Sequence, residues 1–116
     1  MDDLAQQLLT AIDSWAAPGS RLVVERLGPT WRRVRLGADG PQALNYRATP
    51  AAHQEPFVDS VSEEEVAFLR ERIGRPGDVV YPYGRSNSKG ALVRLRAARE
   101  IEAIRDVLLK RAGNAA

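Results

Sequence analysis

Leu4, Leu8, Ile12 and Trp15 recur at helical spacing, and directly beyond Pro18-Gly19 the apolar period drops to two. This switch constrains the fold more than any other feature. A helix returns to one face every 3.6 residues and a strand every second residue, so a stretch patterned for one cannot bury its apolar side chains as the other. Asp2 or Asp3 stands where a carboxylate can cap the first helix and face the positive end of its dipole. The period-two runs are Arg21 to Leu27, Thr30 to Leu36 and Gln42 to Ala48, punctuated by Gly28-Pro29 and by Gly37-Ala38-Asp39-Gly40-Pro41. They predict three strands of an antiparallel meander. Thr49 to Ser60, with Pro50 and Pro56, reads as a surface loop.

Ser62 and Glu65 have capping-box spacing, Val61 and Val66 can form the accompanying staple, and Val66, Leu69 and Ile73 mark the buried stripe of a second helix. Gly74 supplies a left-handed stop and Pro76 prevents continuation. Val79 to Tyr83 follows as a strand that Pro82 assigns to an edge or a bulge. Gly84 to Gly90 is a polar connection. Ala91 to Arg96 is another strand, with Val93 and Leu95 opposite Leu92, Arg94 and Arg96. The last helix runs from about Ala98 to Arg111, with Ile101, Ile104 and Leu108 on one face and Asp106 and Lys110 able to pair on the other. The order α-β-β-β-α-β-β-α predicts an α+β fold: an antiparallel or mixed five-stranded sheet with helices on one face.

A chain of 116 residues is expected to form a single domain, residues 1–116, around one core. The apolar fraction of 44% and charged fraction of 28% are ordinary for globular chains and exclude a fibrous or wholly disordered one. Cysteine is absent, which removes disulfides and every thiolate metal or nucleophile site. With no apolar run long enough to span a bilayer and an acidic start, the expectation is a cytoplasmic protein.

The pI of 9.4 overstates the basicity. The formal net charge is only +2, and with one histidine and no cysteine little titrates between the carboxylates and the tyrosines. Distribution is more informative. Arg21, Arg26, Arg32, Arg33, Arg35 and Arg47 outnumber Glu25 and Asp39, a second basic stretch runs from Arg85 to Arg99, and acids from Glu55 to Glu65 lie between. Strand alternation puts Trp31, Arg33 and Arg35 on one side. If Arg94 and Arg96 share that sheet face, the result is a guanidinium platform with an indole beside it, able to fork onto phosphates and stack on bases. The plain alternative is a sheet face kept soluble by arginine, in a chain with fifteen arginines and two lysines.

Arg85, Ser86, Asn87, Ser88 and Lys89, between Gly84 and Gly90, combine hydroxyls, an amide and cations suited to a phosphate or carboxylate nest. The spacing is not that of a Walker loop, and the same residue types serve an ordinary hairpin connection. Tyr81 and Tyr83 alternate on one face beside it, placed for aromatic contacts. His53, near Glu55, has no ligand cluster around it, so neither a metal site nor a catalytic triad is expected. Asp59, Glu63, Glu64 and Glu65 serve the helix start better than a cation.

These features predict a small non-catalytic binding module for an anionic partner, nucleic acid or a nucleotide, acting through the arginine face and the Gly84–Gly90 loop without a cofactor or metal. The competing expectation is a protein-interaction or regulatory protein, an adaptor or neutraliser of a larger partner, anchored by exposed aromatics. An enzyme acting on a phosphorylated small molecule ranks third, because no acid-base pair is evident.

Overall fold

Asp3 caps the first helix, α1 (Leu4–Asp13), its carboxylate accepting from the Gln6 amide at 2.8 Å. The computed structural model describes residues 3–84 and 89–114. Leu8, Ile12 and Trp15 are buried, as the helical spacing requires. After the turn at Gly19 come β1 (Leu22–Gly28), β2 (Trp31–Leu36) and β3 (Gln42–Arg47), paired antiparallel in sequence order.

The segment expected to be only a loop contains a fourth strand, β4 (Phe57–Val58), so the sheet has six strands and not five. Two residues are too short to show a period. They become a strand because β3 lies on one side and β6 (Gly90–Val93) on the other, with Leu44 opposite Val58 and Phe57 opposite Leu92. β5 (Val79–Tyr83) forms the far edge. The order is β1-β2-β3-β4-β6-β5, and every pairing is antiparallel. β4 therefore welds the meander to the β5–β6 pair.

The expected capping box is present at α2 (Glu63–Ile73). Ser62 Oγ accepts from the Glu65 amide at 3.1 Å, and Glu65 Oε1 accepts from the Ser62 amide at 3.0 Å. Gly74, at φ 77°, ends the helix in the left-handed conformation that glycine adopts without steric cost. The last helical segment opens with a 3-10 turn, Ala98–Glu100, and continues as α3 (Ile101–Asn114). Asp106 does not pair with Lys110 along α3 but with Arg72 of α2 at 2.9 Å, because the two helices lie side by side. None of the helices among the described residues is long and apolar enough to cross a membrane.

Val24, Val34, Leu44, Val58 and Ala91 form a row on the inner face of the sheet. That face and the buried stripes of all three helices make one continuous core. The helices thus cover one face and leave the other open.

Candidate interaction face of the sheet

Carried across the strand registers, Glu25, Arg33, Asn45, Phe57, Leu92 and Val80 fall in one row on the open face. Alternation along β2 places Trp31, Arg33 and Arg35 there, as expected. The two arginines are not free, however: both donate through Nε to Glu25 Oε1, at 2.7 and 2.9 Å. These hydrogen bonds, the one from Arg33 first, hold the Glu25 carboxyl below its ordinary pKa. The Trp31 indole N–H donates to Asn45 Oδ1 at 3.0 Å, and the Arg47 guanidinium lies over the Trp31 ring at 4.2 Å from its centre.

Arg94 and Arg96 do not join this group. β3 and β4 stand between β2 and β6, a separation of roughly 14 Å at ordinary strand spacing. Both belong to a second ion network around Asp78. Arg96 Nε donates to Asp78 Oδ2 at 3.0 Å and Arg75 Nε to the same oxygen at 2.6 Å, while Arg94 Nη1 approaches Oδ1 at 3.9 Å. Arg94 also reaches Glu55 at 3.2 Å. Arg96 and then Arg75 lower the Asp78 carboxyl to a pKa of about 2. Glu100, held by Arg75 at 2.6 and 2.9 Å and by the amides of Arg96 and Ala97, is lowered to about 2 as well. The five residues expected to form one platform are therefore two groups, with Asn45 and Phe57 in the row between them.

Tyr81 and Tyr83 are also divided. The register between β5 and β6 shifts between Val80 and Tyr83, so Tyr83, not Pro82, stands opposite Gly90. One extra residue reverses the facing of everything beyond it. Tyr81 packs against the core from the inner side, and Tyr83, 45% exposed, meets Phe57 on the open face with ring centres 6.3 Å apart. Phe57, Leu92, Val80 and Tyr83 thereby form an apolar patch that sequence reasoning did not assemble. Leu92 was visible as a residue on the Arg94 side of its strand, but the position of Phe57 depends on β4.

Arg85, Ser86, Asn87 and Ser88 lie outside the described residues; Lys89 is exposed and its carbonyl accepts from the Val61 amide at 2.7 Å. His53 Nε2 lies 3.8 Å from Glu55 Oε1. The acids at the start of α2 are engaged in structure: Asp59 accepts from Gln42 at 2.7 Å, and Glu65 accepts from Arg111 at 2.8 Å through both of its oxygens. Among the described residues no three His, Asp or Glu side chains converge as a metal site would require. Two arginines that sequence reasoning left unassigned have distinct places: Arg32 is buried beneath the sheet, and Arg47 stands exposed on Trp31. No protein-family model matches this chain, and no curated protein or solved structure matches it.

Proposed function

We propose that this protein is a binding module that docks the open face of its sheet onto an acidic protein surface. The observation that carries this reading is the apolar patch of Phe57, Leu92, Val80 and Tyr83, bordered on both sides by arginines that carboxylates already hold. An apolar centre with a polar, charged rim is the usual anatomy of a protein–protein contact. Arg33 and Arg35 share one carboxylate and, among the described residues, Arg47 has none within ion-pairing distance, so the β2–β3 half of the face keeps positive charge. That excess favours an acidic partner.

A nucleic acid uses such a face less well. Phosphate neutralisation by Arg33, Arg35, Arg94 or Arg96 would have to displace Glu25, Glu55 or Asp78, and one side of the Trp31 ring is occupied by Arg47.

Selection of a displayed library of random twelve-residue peptides on the folded protein, with Leu92→Asp as the counter-selecting variant, tests the proposal. The expected binders combine aspartate or glutamate with large apolar residues and are lost on Leu92→Asp. Labelled single- and double-stranded DNA, titrated at two salt concentrations, should bind weakly. Peptide selection without acidic and apolar enrichment overturns the reading. Tight, salt-sensitive DNA binding that Leu92→Asp leaves intact replaces it with a polynucleotide partner.

A further inference from the structure

The geometry points to Arg47, stacked on Trp31, as the anchor for a carboxylate side chain of the partner; we infer this on the basis of the docking face proposed above. Arg47 stands opposite Trp31 in the β2–β3 register, and the central carbon of its guanidinium lies over the indole, 4.2 Å from the ring centre. The indole is itself fixed by its hydrogen bond to Asn45. Held over the ring, the guanidinium still has N–H groups for a ligand, so the cation is positioned before anything binds.

The other arginines of the face lack this freedom. Arg33, Arg35 and Arg94 each donate to a carboxylate of this chain, whereas Arg47 is exposed and has no carboxylate within ion-pairing distance among the described residues. A planar fork with two parallel donors matches a carboxylate. A phosphate group suits the place less well, because it gathers several cations and here the neighbouring cations are already bound to Glu25 and Glu55. Strands β3 and β4 are adjacent, so an acidic residue on Arg47 brings its sequence neighbours over Phe57 and Leu92. The ligand is thus an aspartate or glutamate next to a large apolar residue.

Repeating the peptide selection on Arg47→Gln and on Arg33→Gln tests the assignment. Arg47→Gln should keep the apolar preference and lose the acidic one, whereas Arg33→Gln should weaken the acidic preference without abolishing it. For the best peptide from the unaltered protein, Arg47→Gln should weaken binding about tenfold, and replacing the peptide's acid by its amide should cost the unaltered protein the same factor and the variant almost nothing. Arg47→Lys should recover only a minor part, because an ammonium cannot form the fork. Unchanged acidic preference on Arg47→Gln, or equal sensitivity of protein and variant to the amide peptide, overturns the anchor while leaving the docking face in place. Loss of all selection dependent on Leu92 overturns both.

Discussion

Asp13, the last residue of α1, grips Arg32 of β2 by two points, Nε to Oδ1 at 2.7 Å and Nη2 to Oδ2 at 3.2 Å. Arg32 occupies an inner-face position where alternation calls for an apolar side chain, and it is only 4% exposed. Its remaining reach goes to the Gly28 carbonyl at 2.9 Å, so one guanidinium joins the end of α1 to the β1–β2 turn. The hydrogen bond from Arg32 is the largest influence lowering the Asp13 carboxyl below its ordinary pKa.

Removing Asp13 would leave a buried cation without its counter-charge. Asp13→Ala should cost about 3 kcal/mol, since an orphaned buried charge costs more than the pair contributed. Replacing Asp13 and Arg32 together by leucine and methionine should restore much of that loss. Urea unfolding of the single and double variants checks this, and a double variant less stable than Asp13→Ala would count against it.

The cap of α2 is coupled to α3 through Glu65, which accepts from the Ser62 amide and from Arg111. Ser62→Ala should cost about 1 kcal/mol through loss of the cap alone. Glu65→Ala should cost more, because it also releases Arg111 from the α2 terminus. Equal urea midpoints for the two variants would show that the Arg111 contact contributes nothing.

Asp78 and Glu100 both titrate near 2 in the folded protein. Their ordinary values lie near 4, so protons bind the unfolded chain more readily and acid favours unfolding. The stabilisation is complete above about pH 4.5 and is lost as the pH falls toward 2. The urea midpoint should be level from neutral pH to about pH 5 and then decline. Asp78→Asn should be about 2 kcal/mol less stable at neutral pH and show a shallower acid decline. An unchanged acid slope in this variant would remove Asp78 from the account.

Gly90 and Phe57 are in close contact across β4 and β6. A Cβ at Gly90 would run into the Phe57 ring and stand 2.9 Å from the Val58 carbonyl oxygen. Gly90→Ala should therefore cost about 1–3 kcal/mol by overpacking. The cost should shrink, but not vanish, in a Phe57→Ala background, because the carbonyl remains. An additive double variant would contradict the contact.

Local signals carried most of the fold. Ser62 with Glu65 and the stop at Gly74 mark α2 because a helix terminus needs nearby partners for its unpaired backbone groups, and those partners are neighbours in sequence. Likewise Trp31, Arg33 and Arg35 share a face because alternation belongs to the strand itself. The candidate site was less legible, since its parts come together only across the sheet. Arg33 and Arg35 give no sign in sequence that they share Glu25, and Arg94 and Arg96 give none that they meet Asp78.

Periodicity and capping residues by themselves therefore determined the α+β class, the helix boundaries near their caps and the side of β2 on which its arginines stand. Tertiary structure decided three further things: that Phe57 and Val58 are a strand, that Tyr83 faces outward while Tyr81 faces in, and that Arg47, on Trp31, has no carboxylate partner among the described residues. The physical reason is common to all three. A two-residue strand, a one-residue bulge and the cancellation of a charge are each defined by what lies opposite in space, and no period or composition along the chain records that neighbour.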